Sequence, residues 1–242
     1  ALNNDGTFKS TSNKFTLNTS SENGGAIYNG NNLKDSSSSF NTNSADYGGA
    51  VYNNSSANFN KTTFVSNAAI DGGAIYNVGS TALISTNFTL NTATNGGAIY
   101  NVGSTTLTST NFTLNTATNG GAIYNVGDIL LNKITIGNSK TKYNVSNNAV
   151  YGGAIYNEGI LKSTSSNIYY NTATMFGGAI YNDIVDSSKS LTLTTTNLSY
   201  NKTTNQNGFG GAIYNNVGQI NLLGSTFSYN SSSSGGAIYN FG

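Results

Sequence analysis

The chain of 242 residues contains no cysteine, histidine, tryptophan, proline or arginine and one methionine, and only 8% of its residues are charged. Without cysteine there can be no disulfide framework and no thiolate metal site. Ten lysines against nine acids leave a net charge of +1, and the lysines are scattered singly apart from Lys140 and Lys142. That pattern gives no electrostatic footprint for nucleic acid. No apolar run approaches the roughly 18 residues of a membrane-spanning helix, so no direct membrane insertion is expected of this segment. The residues that build helical solenoids are scarce beside Ser, Thr, Asn and Gly, which excludes the α-solenoids.

What is present is a period. The hexapeptide Gly-Gly-Ala-Ile-Tyr-Asn, with Val for Ile once, begins at Gly24, Gly48, Gly72, Gly96, Gly120, Gly152, Gly177, Gly210 and Gly235, and the first four intervals are 24 residues each. Residues 77–100 and 101–124 differ only where Ala82 and Ile84 become Thr106 and Thr108, the mark of recent tandem duplication. A second signature, an apolar residue followed three positions later by Asn, precedes most Gly-Gly pairs: Phe15/Asn18, Phe40/Asn43, Phe64/Asn67, Phe88/Asn91, Phe112/Asn115, Ile168/Asn171, Leu198/Asn201 and Phe227/Asn230.

A fixed period of this size marks a solenoid or a propeller, and 24 residues is too short for a propeller blade and lacks the leucine-rich framework. The remaining fold class is all-β: a right-handed, single-stranded parallel β-helix with about 24 residues per rung and roughly ten rungs. Residues 1–242 form one repeat domain, expected to be a fragment of a longer surface protein. Each unit parses as three strands and three bends, with Thr81, Leu83, Phe88 and Leu90 on alternating positions and Gly or Asn at the turns.

Alternation sets the expected faces. Ile27 and its equivalents point into a core ladder, Asn29 and its equivalents share that side as a corner column, and Ala26 and Tyr28 point away. Tyr28, Tyr52, Tyr76, Tyr100, Tyr124, Tyr156, Tyr181, Tyr214 and Tyr239 then form an outward aromatic stripe, either a ligand-binding platform for sugar rings or proteins, or a column that stacks on itself and on loops. Two intervals are longer. Surplus residues fall at 139–147, with Lys140, Lys142 and Tyr143, and are split between 183–190 and 203–209, as binding loops or neutral surface insertions.

Catalysis is tested by inventory. Parallel β-helices include polysaccharide lyases and hydrolases, which need clustered carboxylates, calcium ligands or a strong base. The nine acids are dispersed, and only Glu22, Asp46 and Asp71 approach a common turn column, as weak cation ligands or solvated turn acids. The expectation is no enzyme, no catalytic residue, no metal and no cofactor. Ten Asn-x-Ser/Thr sequons, among them Asn18, Asn60, Asn87, Asn111, Asn144 and Asn230, match what this composition produces by chance.

The paired Gly-Gly-Ala-Ile and Phe-x-x-Asn motifs resemble the repeat of chlamydial polymorphic outer-membrane proteins and of the adhesin-like surface proteins of methanogenic archaea. The absence of cysteine and of a barrel segment tilts the likeness toward the archaeal group. The resemblance implies an extracellular, cell-surface passenger region used for adhesion, with glycans or proteins of other cells as partners. The alternative is a subunit that associates end to end in a filament or sheath. An ice-binding face built on Thr105, Thr106, Thr108 and Thr110, and a degenerate polysaccharide lyase, stand behind both.

Overall fold

A computed structural model describes residues 2–138 and 146–242. Three parallel sheets run the length of a rod, and each rung contributes one short strand to each sheet. The first sheet has ten strands, from Leu2–Asn4 through Ile27–Asn29 to Ile238–Asn240. The second has nine, from Thr7–Thr11 to Gln219–Leu223, and the third nine, from Lys14–Thr16 to Thr226–Ser228. The rod therefore makes about nine turns of roughly 25 residues, with no helix among the described residues. A small fourth sheet, Asn148–Tyr151, Thr172–Phe176 and Lys202–Thr203, forms beside the corner where the longer intervals fall.

The register places like on like. Ile75 pairs with Ile99 and Ile99 with Ile123, while the adjoining Tyr and Asn pair in the same order. Inside the rod Ile27, Ile75, Ile99, Ile123, Ile155, Ile180 and Ile213 are fully buried, and a second ladder of Phe40, Phe64, Phe88 and Phe112 stacks with centroids 4.8–4.9 Å apart. Burying one such side chain is worth roughly 1.5–3 kcal/mol, so stability accumulates from the column and not from any one rung.

A rung typically makes three of its bends with a residue of positive φ, while the bend between the first and second sheets, Val102-Gly103 in the unit 96–119, uses none. In the unit 96–119 these are Gly96 (φ 62°), Ser109 (φ 51°) and Leu114 (φ 60°). The last two corners tolerate side chains because these project into solvent. The Gly-Gly corner does not: a Cβ on Gly96 would collide with the Ile99 carbonyl and one on Gly97 with the carbonyl of Gly121 in the next rung. Glycine there is a packing requirement as much as a dihedral one.

Two asparagine columns occupy the inner corners. In the first, the side-chain amide of Asn29 donates to Asn53 Oδ1 at 2.7 Å, Asn53 to Asn77 at 2.8 Å, Asn77 to Asn101 at 2.8 Å and so on to Asn240. In the second, Asn67 donates to Asn91 Oδ1 at 3.0 Å and to the Phe40 carbonyl at 3.0 Å, and Asn91 Oδ1 also accepts the Asn67 backbone N–H. Every polar atom of those side chains is thereby satisfied out of reach of water.

Several expectations are corrected. Ala26 and its equivalents do not face outward with the tyrosines; they are buried in the core, because the strand begins at Ile and alternation does not extend back into the Gly-Gly bend. Glu22, Asp46 and Asp71 do not form one column: Asp71 is in register with Tyr47 and Asn95, whereas the Ile70 and Asp71 N–H groups both bond the Asp46 carbonyl. The Thr face does not form, since Thr105 and Thr110 point into the rod and the position of Thr106 is held by Asn58, Ala82, Leu130 and Lys162 in neighbouring rungs. The sequons at Asn53 and Asn201 are fully buried ladder positions. Of the first insertion, Lys140, Lys142, Tyr143 and Asn144 lie outside the described residues. Asn147, placed within it, is a buried member of the second ladder, accepting from Asn115 at 2.9 Å and donating to Asn171 at 2.9 Å.

Candidate functional site

The first sheet positions the stripe. Most of its strands are the three residues Ile-Tyr-Asn, in which Ile and Asn turn inward and the intervening Tyr is the sole outward side chain. Tyr28, Tyr52, Tyr76, Tyr100, Tyr124, Tyr156, Tyr181, Tyr214 and Tyr239 are all brought together in one continuous column, with ring centroids 4.7–5.5 Å apart and planes within 22° of parallel. The ring faces are therefore occupied by neighbouring rings, and the stripe presents edges and hydroxyls to its surroundings. Toward the C-terminal half it is reinforced by Phe176, stacked on Tyr214 at 4.8 Å, and Phe209, stacked on Tyr239 at 4.7 Å. Tyr214 is only 8% exposed as a result.

Two acids terminate the stripe's hydroxyls. Tyr124 donates to Glu158 Oε1 at 2.6 Å and Tyr156 to Asp183 Oδ2 at 3.0 Å, Glu158 standing just beyond the strand of the next rung and Asp183 at the end of its own. Asp183 Oδ1 accepts from Asn216 at 2.9 Å. Burial holds the phenols of Tyr124, Tyr156 and Tyr181 above their ordinary range, with the hydrogen bond to Glu158 adding to it at Tyr124 and the charge of Asp183 at Tyr156 and Tyr181. Tyr100 is pushed up to about 12, mainly by burial and then by Tyr76. The arrangement favours neutral phenols that donate hydrogen bonds, and works against phenolate chemistry.

A second aromatic column escaped the sequence reading. Tyr170, Tyr200 and Tyr229 occupy the corner after the third sheet and stack at 4.6 and 4.8 Å. They sit one residue before the corner asparagines Asn171, Asn201 and Asn230, where earlier rungs carry Leu17, Thr42, Ser66, Leu90 and Leu114. The signal is Tyr-Asn recurring just after the last three third-sheet strands, at a position that the apolar-x-x-Asn pattern leaves unspecified. Among the described residues no group of three or more acidic side chains is placed to hold a metal ion, and no helix is long and apolar enough to cross a membrane.

Residues 14–30, 85–102, 109–126 and 224–240 match the model of the Chlamydia polymorphic membrane protein repeat. Four segments of the chain are similar to that repeat. Each matched segment spans one Phe-x-x-Asn and the following Gly-Gly-Ala-Ile-Tyr-Asn, that is, the Phe ladder, both asparagine columns and one tyrosine of the stripe. Together the segments cover under a third of the chain, although the same geometry continues through the unmatched rungs. The match lends no support to the tilt toward methanogen proteins, which rested on the absence of cysteine and of a barrel segment. No curated protein and no solved structure matches the chain.

Proposed function

We propose that this chain is part of an extracellular, surface-displayed stalk whose lateral faces attach to glycans or proteins of other cells. The observation that carries it is the unbroken outward column of nine tyrosines on a rod whose stability is internal to its ladders. Because Ile, Phe and Asn hold each rung to the next, the outward residues are left available for contact. The repeat type matched by the chain supports display at a surface, as does a composition with no charged field that would direct it to nucleic acid.

The test is attachment. Beads coated with the purified chain are expected to adhere to cell monolayers, with soluble chain competing, and beads coated with heat-unfolded chain are expected not to. Replacing Tyr76, Tyr100 and Tyr124 by Ser should weaken adhesion if the stripe is the contact face. Folded chain that adheres to none of several cell types sinks the adhesive reading.

A further inference from the structure

With no cysteine, tryptophan or histidine and a single methionine, the chain holds sixteen tyrosines. Tyrosine is therefore the side chain from which an oxidant most readily takes an electron, and nine of the sixteen stand in the stripe of the first sheet. No gap interrupts that stack. Ring centroids are 4.7 Å apart between Tyr124 and Tyr156, near its middle, and 5.4 and 5.5 Å apart at its two ends. Rings that lie face to face at this spacing have overlapping π-systems, so an electron vacancy on one passes readily to the next.

Where a vacancy comes to rest depends on the proton. A neutral phenol that loses an electron becomes a strong acid, so it is oxidised most easily where a base already holds its O–H. Among the described residues only two hydroxyls of the stripe donate to a carboxylate, Tyr124 to Glu158 Oε1 at 2.6 Å and Tyr156 to Asp183 Oδ2 at 3.0 Å. Both distances allow direct proton transfer, and the shorter is that of a charge-assisted O–H···O⁻ bond. The closest pair of rings and the two proton acceptors thus coincide. The shorter column of Tyr170, Tyr200 and Tyr229 stacks as closely, at 4.6 and 4.8 Å, but has no carboxylate at its hydroxyls.

We propose that the stripe is a one-electron relay, in which a small diffusing radical oxidises any tyrosine of the column and the vacancy migrates to Tyr124 and Tyr156 and is held there. At Tyr124 one electron leaves to reduce the oxidant, the O–H bond breaks and its proton passes to Glu158. The products are a neutral tyrosyl radical, a neutral carboxylic acid and the reduced oxidant; Asp183 does the same for Tyr156. A tyrosine elsewhere in the column that is oxidised first gives its proton to water. It then takes an electron from its stacked neighbour and a proton back from water as the vacancy moves on. The relay needs only the stack and its two acids, and stands whether or not the rod attaches to a cell.

Azide radicals, generated by pulse radiolysis at fewer than one per chain, serve as the oxidant, each accepting one electron to become azide. The tyrosyl radical is followed by transient absorption and by freeze-quench electron paramagnetic resonance. The unaltered chain is expected to give a long-lived radical, whose yield falls several-fold when Tyr124→Phe and Tyr156→Phe are combined. Glu158→Gln with Asp183→Asn keeps every ring and removes only the proton acceptors. It should shorten the radical's lifetime several-fold, which a purely structural role for the acids would not do. Tyr229→Phe removes the most exposed tyrosine among the described residues, at 75%, and lies outside the stripe; it should change neither yield nor lifetime. Circular dichroism checks each fold, and if a double variant does not fold, Tyr124→Phe and Glu158→Gln alone carry the same comparison. A radical whose yield and lifetime are unaffected by loss of the acids, or one lost with Tyr229→Phe as exposure alone would dictate, overturns the proposal.

Discussion

At the scale of single residues, the columns turn ordinary side chains into linked systems. Asn101 is fully buried, accepts from Asn77 at 2.8 Å and donates to Asn125 at 2.8 Å and to backbone carbonyls at 3.1 Å. Asn101→Ala strands donors and acceptors on both sides, at about 1–3 kcal/mol for an unsatisfied buried group. Chemical denaturation should report at least that loss. Asp35 is the converse case. It stands at the inward position that Phe59, Leu83 and Leu107 fill in later rungs, is 3% exposed, bonds Thr62 through one oxygen and has no partner for the other. Asp35→Leu should therefore stabilise the rod, by about 1–2 kcal/mol in the same assay, and an unchanged or lower stability would show that Thr62 needs the carboxylate. Tyrosine supplies a pH dependence. The phenols of Tyr52, Tyr76, Tyr100, Tyr124, Tyr156 and Tyr181 are all raised in the folded chain, first of all by burial, so the fold holds their protons more tightly than the unfolded chain does. Their contribution is complete below the unfolded value near 10 and is lost as pH rises through the folded values, the one at Tyr100 being about 12. Thermal stability should be flat up to about pH 9.5 and fall steeply above 10, with the fall shifted by Tyr124→Phe.

The strands and corners are where sequence reasoning was strong and where it slipped. The period, the inward Ile and Asn and the outward Tyr were legible because a stacked register repeats each environment at the same spacing. Ala98 was misplaced because a two-residue alternation was carried across the Gly-Gly bend, where the backbone is not extended. Asn147 was read as loop because the insertion separates it from Ile136, although it precedes Gly152 by the same five residues that separate Asn115 from Gly120. That the tyrosines would stack on one another was left open, since spacing gives the column but not the ring orientation. The bend itself yields a sharp contrast. Gly97→Ala sets a methyl against the Gly121 and Thr116 carbonyls and must separate two rungs, whereas Gly6→Ala meets nothing within 4 Å. The first should cost several times the roughly 1 kcal/mol of an average substitution and lower Tm accordingly, and the second should be nearly silent. Equal effects would mean that the Gly-Gly corner has room it does not show here.

For the whole molecule, the consequence is near-additivity. Every rung touches its two neighbours through the same ladders, so stability is a sum of repeat and interface contributions. The tandem units 77–100 and 101–124 differ at two positions only, and their flanking rungs present the same Ile, Phe, Asn and Tyr columns. Removing residues 77–100 joins Tyr76 to Asn101 and leaves each column in register, one rung shorter. The shortened chain should fold, keep its β-sheet circular dichroism, and lose denaturant dependence by about one ninth, in proportion to the surface it no longer buries. Removing 12 residues instead would set the Gly-Gly corner of one rung against the third sheet of the next, bringing backbone collisions where glycine now fits and breaking both asparagine columns. That variant should not fold. If the half-unit deletion folded as well as the full one, the columns would not be what specifies the register, and the rod would be held by generic strand pairing.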